Sequence, residues 1–490
     1  MIREKSTFHR NLRDKYNYPI YTLRLPFTRM YVVNATELIP TLQKQWRTIS
    51  FTPILASSGT GPMGMSKEAG VILNRDIQSD SNTVAKWSQA VNRALAPGKA
   101  LDKVNRRAVE VMYDMMGSLR TPLNNSSTEK KTEVQHETVV DFWSWTHHVM
   151  VQATTEAVYG PANPFREAAF EEAWNYWEPR YLTFALSPLK SLLAGKTLAV
   201  REFMVAAWAK YFQEGGLKHE GASDFARAMY EQMKVDGLSE DDLARAQVGH
   251  SFGIIGTTGP AVWWLIYHIF SDPAVLIDVR NELENFVEVD GGDNQYRIDL
   301  AAIRTSCPIL LSTFKETMRF RSLGTQIRIC LEDHVLGDRY LLKKGGIVVI
   351  PQTVQHTSVD AWGQNVSKFD HLRFVKGDSG SGKKMNHTAF RAFGGGHTMC
   401  PGRHFSATEI IAFAALMVLQ FDVAPVGGGR WEEPTWANSP MSSTFHIPDE
   451  DFKISIRPRD SRKWRIDFAK GTGDAGAKGM AVIAEDIENS

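Results

Sequence analysis

The stretch Phe393-Gly-Gly-Gly-His-Thr-Met-Cys400-Pro-Gly-Arg403 constrains this chain more than any other. Three consecutive glycines permit a sharp turn and let the backbone lie against a flat ligand, because no Cβ stands between them. An apolar stripe of Ile410, Ile411, Ala414, Ala415, Val418 and Leu419 follows, so a helix is expected over 403–421. Cys400 then sits just before a helix start, where free N–H groups and the helix dipole favour a thiolate. On composition alone, a glycine-rich loop with one buried cysteine reads the same way.

The rest of the chain must enclose that loop, and it has the means. It has 490 residues, 43% of them hydrophobic, enough for a large core. Aromatic residues make up 10%, including 13 Trp, which suits an apolar cavity as well as a core. Lys and Arg number 56 against 55 Asp and Glu, so nucleic acid is not expected as a partner. The cysteines, Cys307, Cys330 and Cys400, are few and odd in number, which argues against a disulfide framework and for a reducing or cytosol-facing compartment. No CxxC occurs, so a structural zinc site is not expected. Met1 to Tyr16 is charged and lacks the apolar core of a signal peptide. The most apolar run, Ile254 to Phe270, is short for a membrane span and broken by Gly256, Gly259 and Pro260; it reads as a buried, interrupted helix.

Residues 17–35 alternate and read as two short strands. From about Glu37 to Ile303 the pattern is mainly helical, as over 168–180 and 223–235. Residues 124–133 read as a polar loop. Residues 327–350 read as strands and turns, and a long loop-like stretch follows over 354–402. The expectation is one mainly α domain with a minor β region over 1–466 and a disordered tail over 467–490.

Phe393, Gly396, Cys400 and Gly402 fall at the four spacings of the haem-binding signature of the cytochrome P-450 superfamily, which this chain resembles over roughly residues 15–465. Lys315-Glu316-Thr317-Met318-Arg319 looks like the family's ExxR, with Glu316 and Arg319 on one helix face. Phe369-Asp370-His371-Leu372-Arg373-Phe374 resembles the segment whose arginine joins that pair. The resemblance implies a cytochrome P-450 fold, a helical haem domain with a small N-terminal sheet. It implies haem b as cofactor, with Cys400 the axial ligand to iron and Glu316, Arg319 and Arg373 a structural triad. Arg328 stands where the family often places a base near a haem propionate, although a solvated strand arginine fits as well. His397 either contacts haem or faces solvent. The family's WxxxR is missing around 95–110, which leaves one propionate partner unassigned.

Ser239-Glu-Asp-Asp242 reads as a capping box opening a long helix that runs to about Phe270. Pro260 lacks an N–H and clashes with the carbonyl of Gly256, so the helix is expected to open near Gly256–Thr257. A proline kink without any catalytic part explains the same residues. Aligned by Trp264 and Pro273, the region resembles the family's oxygen-side helix, with Thr257 as its threonine. The acid that usually precedes that threonine is replaced by Gly256, so Thr258 or water must substitute in proton delivery. Thr398, where a base is usual two before the cysteine, and the run Thr-Gly-Pro-Ala-x-Trp-Trp resemble the branch of sterol 7α- and 12α-hydroxylases, prostacyclin synthase and many fungal relatives.

The implied reaction is insertion of one oxygen atom from O2 into a lipophilic steroid, terpenoid or other natural product. No nicotinamide or flavin fingerprint is present, so electrons are expected from NADPH-cytochrome P-450 reductase. An oxygen-independent isomerase of the prostacyclin-synthase type and a non-enzymatic haem sensor are the other readings. Pocket walls are expected from 52–66, 320–328 and 440–446. Gly377-Asp-Ser-Gly-Ser-Gly382-Lys383-Lys384 misses the last position of a phosphate-binding loop and reads as a surface insertion. Eukaryotic members usually begin with a membrane helix and proline-rich hinge, and neither is visible here. The resemblance places the protein at the cytosolic face of the endoplasmic reticulum membrane. Tyr181 to Leu193 offers peripheral membrane contact, which core packing explains equally well.

Overall fold

The computed structural model describes residues 7–120, 137–186, 194–291, 294–375, 386–440 and 443–467. Residues 124–133, the near-miss phosphate loop at 377–384, the end of the apolar stretch at 187–193 and the tail beyond 467 lie outside the described residues. Asp467, assigned to the tail from sequence, instead ends the strand Lys463–Asp467, which pairs in parallel with Gln295–Asp299.

The two strands expected near the N-terminus form an antiparallel hairpin, Ile20–Leu25 and Thr28–Val33. They do not make a sheet alone. Thr28–Val33 lies parallel to Ile347–Pro351, which pairs antiparallel with Thr325–Cys330, and Ile49–Ser50 closes the far edge. The apolar run Ile347-Val-Val-Ile350 suits this central place, because a strand covered on both faces has no need to alternate. Arg328, carried by Thr325–Cys330, is thereby fixed by a sheet with neighbours on both sides.

Helices make the body. Two of them are buried almost all round and form its centre: Thr258–Ser271, buried from Thr258 to Phe270, and Arg403–Gln420, buried from Ala407 to Gln420. A helix that is apolar on every face belongs inside. Around them stand Lys99–Met115, Phe142–Tyr159, Gly195–Gln213, Glu240–Ile255 and Pro308–Arg321. Ser239 caps its helix by accepting from the N–H of Asp242 (3.1 Å). The Asp242 carboxylate reaches back to the Ser239 hydroxyl (2.6 Å) rather than to its N–H, and, buried, also accepts from the N–H and hydroxyl of Ser66.

The long helix breaks where Pro260 predicts. It runs as Glu240–Ile255, is interrupted at Gly256–Thr257, and resumes as Thr258–Ser271. Pro260 cannot donate to the carbonyl of Gly256.

Glu316, Arg319 and Arg373 come together in the core. Arg319 Nε and Nη2 each lie 2.7 Å from a Glu316 carboxylate oxygen, and Arg373 Nε lies 3.0 Å from Oε2. The N–H of Asp370 donates to Oε1 (3.1 Å), and Arg319 Nη1 donates to the carbonyl of His356 (2.7 Å). The Glu316 side chain is fully buried and that of Arg319 is 1% exposed. Removing one member of such a buried pair costs about 3–5 kcal/mol, because the other charge is left without a partner. Arg319→Ala and Glu316→Ala should each lower the urea midpoint and prevent stable haem incorporation. Normal holoprotein yield from both variants would contradict this.

Candidate functional site

The cysteine loop closes on itself. The N–H of Cys400 donates to the carbonyl of Phe393 (2.9 Å), between the turn Gly396–Thr398 and the helix that begins at Arg403. Gly394 and Gly396 adopt φ of +83° and +63°, where a side chain is strained, and a Cβ on Gly395 would lie 2.3 Å from Arg391 Nη1. Gly402 is under no such demand: its φ is −80°, and an added Cβ would make ordinary contact with Cys400 Sγ at 3.8 Å.

Two guanidiniums are buried beside the loop. Arg328 is 2% exposed and donates to Thr398 Oγ1 (2.6 Å), so it is not a solvated strand residue. Arg391 is 3% exposed and donates to Gln326 Oε1 (2.5 Å). The Nε atoms of Arg328, Arg391 and Arg403, with the amide nitrogens of Gln43 and Gln326, have no hydrogen-bond partner. Burial pulls Arg328 and Arg391 down to about 10, and the charge of Arg328 adds to the effect on Arg391. Among the described residues no carboxylate pairs with either arginine. A thiol, a glycine-lined loop and two desolvated cations fit a flat group that carries carboxylates and a metal with affinity for sulfur.

His397 does not join them. It is exposed, and its ring stacks on Trp46 with centroids 3.9 Å apart. The choice left open from sequence falls to the outward position. Arg391 supplies a buried cation the sequence reading missed. Its signal was a basic residue two before Phe393, but nothing local distinguished it from a loop arginine on the surface.

The comparisons agree with this geometry. The cytochrome P-450 family model matches residues 3–443. The chain belongs to the cytochrome P-450 family. The P-450 monooxygenase nodJ of Hypoxylon pulicicidum is 32% identical over 479 residues, covering 95% of this chain and 88% of that one. A P-450 monooxygenase of Gibberella zeae is 26% identical, covering 93% and 84%. The pig 5-beta-cholestane-3-alpha,7-alpha-diol 12-alpha-hydroxylase is 27% identical over 58% of each chain. Among solved structures, the retinoic acid-bound cyanobacterial CYP120A1 superposes with a TM-score of 0.69 at 16% identity, covering 93% of this P-450 and 95% of that chain. A zebrafish P-450 with abiraterone gives 0.67 at 17% identity, covering 93% and 100%. These two show the fold.

Haem is the cofactor of this P-450. Cys400 would hold the iron, and Arg328 and Arg391 the propionates. When bound, haem with an axial thiolate binds and activates oxygen. Burial pushes the Cys400 thiol up, against the amides of Gly402 and Arg403 and the Arg403 charge, which pull it down. The helix start favours the thiolate, as expected from sequence, but burial outweighs it; a coordinated metal cation would tip the balance to the thiolate.

At the helix break, Thr257 Oγ1 lies 3.0 Å from Thr444 Oγ1. Thr444 belongs to the loop that bridges to Ser322 and Leu323: Leu323 N–H donates to the Thr444 carbonyl (2.7 Å), and Ser322 pairs with Phe445. Two of the segments expected to wall the pocket, 320–328 and 440–446, are thus joined to each other and to Thr257. Thr258 is 2% exposed and its hydroxyl has no hydrogen-bond partner.

Cys400→Ala should abolish the red-shifted Soret band of the reduced carbon-monoxide complex. Cys307→Ala and Cys330→Ala should keep it, because both thiols are buried and pushed up by burial. A band surviving in Cys400→Ala would sink the assignment. His356 is a second checkpoint. It bonds the backbone N–H of Arg391 (2.8 Å) and the hydroxyl of Ser322 (3.0 Å), and burial, with Arg319 and Arg391, holds it near 3 rather than 6.5. The unfolded chain therefore binds the proton first as pH falls. The stability His356 contributes is complete above about pH 6.5 and declines from there toward pH 3. His356→Gln should flatten that part of the stability profile in urea titrations at stepped pH.

Proposed function

We propose that this P-450 monooxygenase inserts an oxygen atom from O2 into a polycyclic lipophilic substrate of steroid or terpenoid type, with electrons from NADPH-cytochrome P-450 reductase. The relatives support the substrate class: one is named for hydroxylating a cholestane diol, and nodJ is a fungal monooxygenase. The observation that carries the reading is Thr257. Its hydroxyl stands at the break of the central helix, half-buried and bonded to a second hydroxyl on a loop that borders the expected pocket. Two hydroxyls in contact can orient a water and pass a proton, and a transferring group must lie within hydrogen-bond reach, directly or through one water. An isomerase that starts from a peroxide, or a haem sensor, gives this pair nothing to do.

We further infer contact with the cytosolic face of the endoplasmic reticulum membrane. Among the described residues no single helix is long and apolar enough to cross a membrane. Phe27, fully exposed at the tip of the N-terminal hairpin at φ 65°, is a side chain suited to a lipid surface. Phe27→Glu should reduce cosedimentation with phosphatidylcholine vesicles.

Thr257→Ala should keep the haem spectrum and substrate binding, lower product formation by up to about 10²–10⁴-fold, with water recovering part of it, and divert reductant into hydrogen peroxide. Unchanged coupling of NADPH to product would reduce Thr257 to a helix residue. Product formed from an organic peroxide without reductase would favour the isomerase.

A further inference from the structure

Gly256 occupies the place where an acid would be useful, and the structure puts a carboxyl there from another helix. A Cβ built on Gly256 would lie 2.9 Å from Glu178 Oε1 and 2.8 Å from the carbonyl of Phe252. Glu178 follows the helix Ala168–Trp177, at the corner where the chain turns into the short turn Glu178–Arg180. That corner is pinned to the broken helix by Tyr181, whose ring stacks on Phe252 with centroids 4.9 Å apart. One turn along, a Cβ on Gly259 would lie 3.0 Å from His147 Cδ2, and His147 Nε2 lies 3.8 Å from Glu178 Oε2. Gly256 and Gly259 are three apart on one face. Without side chains there, the helix lets Glu178 and His147 approach its backbone at the break.

Glu178 is placed unlike a structural carboxylate. Among the described residues no lysine or arginine forms an ion pair with it, and its basic neighbour is His147. It is largely buried, and 19% of its side chain remains accessible, so a proton can reach it from water. Burial raises its carboxyl to about 7, against the Trp174 indole, which pulls it down, and holds His147 near 4, so the neighbour is neutral and the acid can exchange protons near neutral pH. The other ionisable groups around it are accounted for. His148 is bonded to Glu171 (2.8 Å), Tyr181 is raised by burial, and the broken helix carries no titratable side chain between His250 and Tyr267.

We propose that Glu178 supplies protons for oxygen activation across the gap at Gly256, through water to the hydroxyls of Thr257 and Thr258. The proposal rests on the monooxygenase reading. Hydroxylation consumes one O2, two electrons and two protons for each alcohol and water formed, with the electrons coming from NADPH by way of the reductase. In each delivery the Glu178 O–H bond breaks, the proton passes to the hydroxyl-bound water, and the carboxylate regains a proton from solvent. The unpartnered hydroxyl of Thr258 and the Thr257–Thr444 pair are the acceptors on the far side. Glu178 acts through these groups, so it orients and feeds the relay and does not bind oxygen itself.

The test uses the holoenzyme with reductase, NADPH and O2 and no added substrate, comparing wild type, Glu178→Gln, Glu178→Asp and the exposed control Glu172→Gln. Two quantities are measured from pH 5.5 to 8.5: the ratio of water to hydrogen peroxide formed from O2, and the infrared carbonyl band of a protonated carboxyl. In wild type both should fall together as pH rises through about 7. Glu178→Gln should lose the band, cut the ratio by about tenfold or more and remove its pH dependence, with the Soret band intact. Glu178→Asp should restore part of both, and Glu172→Gln should match wild type. A wild-type ratio and pH profile in Glu178→Gln overturns the relay while leaving the monooxygenase reading standing. No reductase-dependent oxygen uptake by wild type, with the titrating band present, overturns the monooxygenase reading and the relay with it.

Discussion

The fully buried carboxylate of Glu316 is the constraint on which the architecture around the cysteine depends. Ionised carboxylates leave water at a cost of several kcal/mol, and that cost is offset only when every lone pair finds a donor. Here the donors are Arg319 Nε and Nη2, Arg373 Nε and the N–H of Asp370. They come from one helix and from a loop 54 to 57 residues further along the chain. Arg319 donates from its third nitrogen, Nη1, to the carbonyl of His356, and the His356 ring in turn accepts from the N–H of Arg391. The network therefore runs from Glu316 to the residue that carries one of the two buried cations beside Cys400. Only one relative placement of helix, loop and cysteine segment satisfies all of its members.

On the other side, the site depends on what a helix lacks. Pro260 withholds an N–H, Gly256 and Gly259 withhold side chains, and the helix opens at Gly256–Thr257. At that opening stand a carboxyl from Glu178 and the hydroxyl pair of Thr257 and Thr444, and His147 packs against Gly259 one turn further on. Buried polar atoms without partners occur in several parts of the core, Asn105, Glu409 and Gln420 among them, and they include the Nε atoms of Arg328, Arg391 and Arg403 near the cysteine loop and the Thr258 hydroxyl at the break. Buried polar groups in native proteins usually have a partner, and beside the cysteine loop a bound carboxylate-bearing group would supply one.

Features that depend on spacing along the chain were legible in the sequence. The cysteine loop, the Glu316–Arg319 pair, the kink at Gly256–Thr257 and the hairpin over 17–35 are all local patterns, and the structure contains each of them. The readings that failed or stayed open concerned direction and environment. His397 and Arg328 both stand near the loop, yet one faces outward onto Trp46 and the other is 2% exposed. Arg391 was passed over because a loop arginine has no periodicity to reveal its burial. The helix start favours a thiolate at Cys400, but burial opposes it, and desolvation depends on the whole surrounding molecule.

The sequence by itself determined the family, the glycine-rich cysteine loop and the weak point of the central helix, because each follows from residue type at fixed separation along one segment. Tertiary structure alone decided which side chains share a volume. The acid missing at Gly256 returns as Glu178, seventy-odd positions earlier in the chain. Thr257 meets Thr444, from near the other end. The first sheet joins residues 20–33 to 325–351. Such pairings are set by how helices and strands close around one core, and the burial they create fixes the charge state of every group inside. Neither is encoded in any window of neighbouring residues.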